Sequence, residues 1–291
     1  MYALSRDGRL FVIRSLNNVS IDEIYDAFTD AFSDYEAKMD LTKDQLIKML
    51  VTRSFNPIHS KGYFEKNKLV GFILIGYRKQ LGEKIYYDTA TGIRQECQKQ
   101  GIGNTLLEEI LKEMKVEEID RFLLEVLENN IPAQELYKKH GFQITRRLCC
   151  FEYELNGIVR THEYKVVIND MIENDFEDYC SFLPSWQNSN ESFINCRDDY
   201  TKIDINNMNT KIGYVIINID NGSIMQFGLS HEYRNIEIVD NILWVLRNEY
   251  GINRIRILNI EDKSEMQVLF EKSGMINFIN QFEMEYKSNR T

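Results

Sequence analysis

The sequence predicts an α/β protein with a mixed (α+β) sheet, built as two tandem copies of one domain. Three observations predict it. The chain has 291 residues, and at ~100–200 residues per domain that length suits two domains. Runs rich in β-branched and aromatic residues alternate with segments of helical periodicity. The chain also echoes itself. Lys68-Leu69-Val70-Gly71-Phe72-Ile73 reads like Lys211-Ile212-Gly213-Tyr214-Val215-Ile216. Gly92-Ile93, followed by Gln98, is matched by Gly228-Leu229, followed by Arg234, at an offset of 136. Leu136-Tyr137-Lys138-Lys139-His140-Gly141-Phe142 is matched by Leu269-Phe270-Glu271-Lys272-Ser273-Gly274-Met275, and Glu152-Tyr153 by Glu285-Tyr286, both at 133. Matches that keep their order imply a duplication, and the period is too long for a solenoid. The join lies near Asn156 to Thr161, which gives domains 1–158 and 159–291.

Taken in order, residues 10–14 form a first strand. Ser20-Ile21-Asp22-Glu23 has the spacing of a capping box, and Ile24, Ala27, Phe28, Ala31 and Phe32 then share one helical face. Thr42-Lys43-Asp44-Gln45 opens a second helix in the same way. Residues 68–78 and 84–91 read as strands that meet at Gln80-Leu81-Gly82-Glu83. Leu106, Leu107, Ile110, Leu111 and Met114 recur at helical spacing, and residues 121–127 read as a buried strand. A further helix carries Ala133, Leu136, Tyr137 and His140 on one face. Cys149 and Cys150 fall in a strand, where neighbours point to opposite faces, so a disulfide between them is not expected.

Composition narrows the function. Hydrophobic residues at 43% and charged residues at 27% fit a packed core and exclude a disordered or collagen-like chain. The longest strongly apolar run, residues 69–75, is far below the ~20 residues that cross a bilayer, and the first residues lack a signal-peptide core. A cytoplasmic location and no membrane partner are expected. Five cysteines without a CxxC pair, and the scattered His59, His140, His162 and His231, argue against a disulfide framework and a metal site. A net charge of −10 works against phosphate-backbone binding, so no nucleic-acid partner is expected. The sequence leaves the oligomeric state open.

Between a predicted strand and a predicted helix stands Gln98-Lys99-Gln100-Gly101-Ile102-Gly103. Glycines let the backbone turn sharply and approach a ligand, and the amides of a helix start, at the positive end of its dipole, can hold a pyrophosphate. A glycine loop can also simply cap a helix. There is no Gly-x-x-x-x-Gly-Lys-Ser/Thr and no three-glycine dinucleotide fingerprint, which excludes a P-loop and a Rossmann site. Downstream follow Leu124-Glu125-Val126, Asn130, Ala133, Leu136-Tyr137 and Gly141-Phe142. Together, over most of residues 10–155, these resemble the GNAT superfamily of acyl-CoA-dependent N-acetyltransferases, whose coenzyme loop has the form Gln/Arg-x-x-Gly-x-Gly/Ala. The resemblance implies two tandem GNAT-type acyl-CoA N-acyltransferase domains that take acetyl-CoA as co-substrate. It implies that Gln98, Lys99, Gln100, Gly101, Ile102 and Gly103 wrap the CoA pyrophosphate. The strand at Thr91, Gly92 and Ile93 would pair with the pantetheine arm, and Asn130, Ala133 and Tyr137 would contact the coenzyme from the next helix.

The chemistry of such a site can be argued separately. A lysine-like amine of pKa near ~10.4 is protonated at neutral pH, so a base or a water relay must remove a proton before attack on a thioester. The oxyanion needs donors, which amides on a splayed strand can supply. The departing thiolate, of pKa near ~8.5, is aided by a phenol of pKa near ~10 beside the sulfur. Tyr137 suits that acid role, the alternative being a core tyrosine. Glu125, twelve residues earlier, is similar to the Leu-Glu-Val glutamate that acts as base in the ribosomal-protein alanine acetyltransferase branch of the family. Asp88 on the preceding strand and an ordered water compete with it. The eight acidic residues from Asp22 to Asp44 either steer a cationic amine or line the solvated faces of two helices. Phe32 and Tyr35 are candidate walls of an acceptor pocket.

In the second copy, Arg234-Asn235-Ile236-Glu237-Ile238-Val239 occupies the loop position, with Glu237 and Val239 in place of the glycines, Phe270 in place of Tyr137 and Lys263 in place of Asn130. A domain that keeps the fold and has lost the coenzyme is expected. The whole reads as an enzyme that moves an acetyl group to a primary amine, preferably of a small molecule, by direct attack in a ternary complex. Its rivals are acetylation of protein or peptide N-termini or lysines, and a non-catalytic acyl-CoA-binding module.

Overall fold

Runs rich in β-branched and aromatic residues become strands, and among the described residues every helix of six residues or more starts on a side-chain or glycine cap. In the computed structural model, residues 3–4, 10–33, 40–158, 164–169 and 176–288 are described. They divide into two compact units. Unit 1 takes in Met1–Val126, Asn130–Thr145 and Met284–Thr291, and unit 2 takes in Leu127–Asn129 and Arg146–Glu283.

Unit 1 contains β1 (Ala3–Leu4), β2 (Leu10–Ser15), α1 (Ile21–Phe32), α2 (Lys43–Thr52), β3 (Lys61–Glu65), β4 (Lys68–Gln80), β5 (Glu83–Ile93), α3 (Ile102–Val116), β6 (Arg121–Leu127), α4 (Ile131–Lys139) and the start of β7 (Gln143–Glu154). Its strands run in the order β1-β2-β3-β4-β5-β6, and residues 284–287 follow at the β6 edge. The ladder is antiparallel as far as β5, and β5 and β6 are parallel. The Ser20 hydroxyl caps α1 by accepting from the Glu23 amide, and Thr42 and Gln45 form the full capping box of α2. Strand β3 was not legible in the periodicity. It is short, and it joins β4 through Lys66 and Asn67, both at positive φ, a two-residue turn built without glycine.

The two faces of the unit 1 sheet differ. Phe28, Leu46 and Leu50 of α1 and α2 pack with Phe72, Leu74 and Ala90 on one face. The other face takes α3, whose Ile102 and Leu106 lie against Gly71. Gly92 has a packing reason of its own, because a Cβ there would sit 2.4 Å from the Phe72 ring and 3.0 Å from Ala31.

Unit 2 contains β8 (Lys165–Ile168), α5 (Phe176–Tyr179), α6 (Asn190–Asn195), β9 (Thr201–Asn207), β10 (Thr210–Asn218), β11 (Ser223–Leu229), α7 (Ile236–Asn248), β12 (Arg254–Glu261), α8 (Glu265–Lys272) and most of β13 (Ile276–Lys287). Residues 148–154 of β7 pair with β12, and the order continues β11-β10-β9-β8. The strand β7 that starts in unit 1 thus ends in unit 2, and β13 does the reverse. Ile242, Leu243 and Leu246 of α7 join Ile255, Ile257 and Phe270 in the core. Among the described residues no helix is long and apolar enough to cross a membrane.

Candidate functional site

The site begins with an irregularity in a strand. On β4 and β5, Leu74 faces Ala90 but Ile75 faces Asp88, so Thr89 is an extra residue in the ladder. Such a bulge changes the phase of the side chains. Asp88 and Thr91, three apart, would lie on opposite faces of a regular strand. The bulge turns both to the face of Ile73 and Ile75, and the Thr91 hydroxyl donates to Asp88 Oδ2 at 2.6 Å. The ladder between β5 and β6 also ends here, with Asp88↔Leu124 as its last pair. Beyond that pair the strands part, and the β5 edge from Thr89 to Ile93 has no ladder partner in β6.

Tyr137 reaches this fork from α4. Its hydroxyl donates to Asp88 Oδ2 at 2.9 Å, and its ring packs on Phe142. Asp88 is 7% exposed and Tyr137 6%. Burial pushes the Asp88 carboxyl up to about 6, although the hydrogen bonds from Thr91 and Tyr137 and the charge of Arg53 oppose the rise. Asp88 Oδ1 is buried and has no hydrogen-bond partner among the described residues. Arg53 anchors the bulge by donating to the Thr89 carbonyl at 2.8 Å. Of the candidate carboxylates, Asp88 meets Tyr137. Glu125 lies half-buried on β6, one residue past the last pair, and strand alternation turns it to the face opposite Leu124, that of α1 and α2.

The glycine loop shows how the start of α3 is built. Lys99 has φ +60° and Gly101 φ +83°, and Gly101 caps α3 with no side chain over its first amides. No acidic residue stands in the first turn. A Cβ on Gly103 would meet only Leu136, at 3.5 Å. Gln98 and Gln100 brace the loop from inside, donating to the carbonyls of Ile93 (3.3 Å) and Glu96 (3.1 Å). Asn130 is the N-cap of α4, and its side chain accepts from the Ala133 amide at 3.2 Å.

Sequence reasoning missed Arg94, between β5 and the loop. Its side chain is buried, donates to the Leu69 carbonyl at 2.7 Å, and pairs with Asp26 and with Asp30 of α1. The signal was a lone cation directly after an apolar strand. Asp22 pairs with Lys43 at 2.8 Å. These acids fasten α1, which favours the structural reading of the acidic stretch. Phe32 packs on Phe28 in the α1 core. Tyr35, Asp34, Glu36 and His162 lie outside the described residues. Among the described residues no group of three or more His, Cys, Asp or Glu is placed to hold a metal ion.

Unit 2 repeats the frame with other side chains. Its ladder slips by one at Met225, and its last parallel pair is Ile224↔Ile257. Ile224 therefore stands where Asp88 stands. Phe270, fully buried, takes the place of Tyr137: the amide five residues on returns to its carbonyl in both helices. Gln98, Lys99, Gln100 and Gly101 precede α3, whereas only Arg234 and Asn235 precede α7. The Asn235 side chain itself takes the Ile238 amide at 3.0 Å. The loop is shorter than the sequence offset implied, and the amide is already used.

The sequence model of the Acetyltransferase (GNAT) family matches residues 21–142. A comparison with curated proteins returns no match. Among solved structures, a GCN5-related N-acetyltransferase from Sphaerobacter thermophilus is 10% identical with a TM-score of 0.70, over 98% of this chain and 97% of its own. A tandem GNAT protein from the clavulanic acid biosynthesis pathway is 12% identical with a TM-score of 0.66, over 97% and 99%. A GCN5-related glucosamine N-acetyltransferase region of a fungal multi-domain β-N-acetylglucosaminidase is 15% identical with a TM-score of 0.72, over 96% of this chain and 38% of that one. Residues 21–142 therefore belong to the Acetyltransferase (GNAT) family, within a chain that has the fold of a tandem GNAT protein.

Proposed function

We propose that the protein transfers an acetyl group from acetyl-CoA to a primary amine of a small molecule, by direct attack in a ternary complex. The observation that carries this reading is the fork of β5 and β6, with Tyr137 at its apex and the start of α3, capped by Gly101 with no side chain over its amides, nearby. The residues fit the coenzyme. A left-handed Gly101, open space around Gly101 and Gly103, and a first turn free of acids suit a diphosphate on main-chain amides. GNAT enzymes generally use acetyl-CoA, and here its thioester would supply the activated acetyl group. Two structures of this fold are described with small-molecule chemistry, glucosamine acetylation and the clavulanic acid pathway, which supports a small amine over a protein acceptor.

Each residue then has a task. The loop 98–103 and the cap at Asn130 hold and orient the coenzyme, and the open edge of β5 at Thr91, Gly92 and Ile93 offers main-chain partners to its arm. Tyr137 gives a proton to the departing sulfur. Glu125, on the α1–α2 face, removes the first proton of the ammonium, directly or through water. Phe32 borders the acceptor on that face. Unit 2 keeps the fold without a coenzyme site, since Asn235, Ile224 and Phe270 replace the parts that would form one.

Calorimetry with acetyl-CoA, joined to a thiol-release assay over polyamines, aminosugars, aminoglycosides, amino acids and peptides, tests the reading. One coenzyme per chain and turnover with a small amine are expected. Two coenzymes per chain would overturn the role given to unit 2, and binding without turnover would leave only a binding module. Tyr137→Phe should lower kcat by roughly 10²-fold or more, the usual worth of a general acid, with acetyl-CoA affinity nearly intact. Unchanged turnover would remove the tyrosine from the mechanism.

A further inference from the structure

Attack by an amine releases two protons, and the site holds two separate carboxylates. The first proton leaves the ammonium before attack. The second leaves the nitrogen of the tetrahedral adduct as the carbon–sulfur bond breaks. Glu125 faces α1 and α2, whereas Asp88 faces Tyr137 at the apex of the fork. Asp88 Oδ2 accepts from both Thr91 and Tyr137, and its buried Oδ1 has no partner among the described residues. A buried carboxylate with one oxygen doubly engaged and the other unmatched is costly unless a ligand supplies a donor. The fold does not require it. At the same place in unit 2 the ladder, the bulge and the helix end recur with Ile224 and Phe270, so both polar members are replaced together.

We propose that Asp88 and Tyr137 act as one proton relay that carries the second proton of the attacking nitrogen to the departing sulfur, a role that rests on the transferase reading above. The N–H bond of the adduct breaks and the proton joins Asp88 at Oδ1. The carbon–sulfur bond breaks with its electron pair on sulfur, the O–H bond of Tyr137 breaks, and S–H forms. The protonated Asp88 then returns its proton to the Tyr137 phenolate. Both residues end as they began, and no solvent proton enters. Thr91 is the positioning residue that fixes the carboxylate.

The test measures kcat and KM for acetyl-CoA by thiol release, with spermidine and glucosamine as the first acceptors and the remaining amines of the panel after them, in the wild type, Asp88→Asn, Asp88→Glu, Tyr137→Phe and the double variant Asp88→Asn/Tyr137→Phe. Each single variant should lose at least tenfold in kcat with KM for acetyl-CoA within about twofold. The double variant should be no slower than the slower single, because both remove one relay. Asp88→Glu should recover part of the rate. Among the described residues, the charged or titratable groups that act on the Asp88 carboxyl are Tyr137 of α4 and Arg53 at the end of α2. Wild-type kcat should fall as pH drops through about 6, where Asp88 becomes protonated, and Asp88→Asn should lose that limb. A double variant slower by the product of the two single losses, or an Asp88→Asn enzyme with wild-type kcat, would overturn the relay and leave the transferase standing. No thiol release by the wild type with any amine of the panel would overturn the transferase reading and the relay with it. Melting curves and acetyl-CoA calorimetry on each variant separate lost chemistry from lost fold.

Discussion

Asp88 is a carboxyl placed where the native structure prefers it neutral. Its pKa is raised from the ordinary carboxylate value to about 6, so the native state binds a proton more tightly than the unfolded chain. The associated stability is full below the unfolded pKa, near ~4, and is lost as pH rises through about 6. At pH 7 the buried charge costs on the order of 3 kcal/mol. Asp88→Asn should therefore melt a few °C higher than the wild type at pH 7, and the gap should shrink at pH 4 to 5. Melting curves across that range check it, and a gap that does not change with pH removes the argument. Single residues were unevenly legible in the sequence. Tyr137 and the glycines carry their chemistry in their identity. The pairing of Asp88 with Thr91 depends on a bulge at Thr89, and no alternation pattern reveals an extra residue in a ladder.

At the scale of elements, the start of α3 separates what the fold needs from what a ligand needs. Gly101 sits at φ +83°, and Gly103 has room for a methyl group. Gly101→Ala should cost about 1–2 kcal/mol in stability through left-handed strain. Gly103→Ala should leave the melting temperature unchanged or raise it, since alanine is the better helix former by ~1 kcal/mol. Both should weaken acetyl-CoA binding in calorimetry. Full affinity in Gly103→Ala would move the diphosphate away from this helix. The caps at Ser20 and Thr42 were readable because capping is a local, side-chain event. The length of the loop before α7 was not: the offset set Glu237 and Val239 against the glycines, while the structure ends the loop at Asn235. An insertion is invisible when the flanking residues still match.

At the scale of the whole molecule, the duplication was legible and its wiring was not. Periodicity reports which residues pair with a core but not whose core it is. Residues 284–287 of β13 belong to unit 1, where Met284 is fully buried, Glu285 pairs with Arg121, and the Tyr286 ring meets Phe142 at 5.6 Å. A chain that ends at Glu283 leaves the Arg121 charge without this partner and opens a cavity. Arg121 is about one-third exposed and keeps Glu83 at 3.3 Å, so the cost comes mainly from the emptied core, about 2–5 kcal/mol, or a drop of roughly 5 °C or more in the melting of unit 1. Scanning calorimetry would show it, and an unshifted transition would mean that the last residues are dispensable.

That wiring also sets the moment at which the enzyme comes into being. Ribosomes make chains from the front, and an early domain normally matures while the rest is still being added. Here the half that carries Tyr137 and the glycine loop must await residues 284–287 before its sheet closes, so a nascent chain that has not reached them holds that half unfinished.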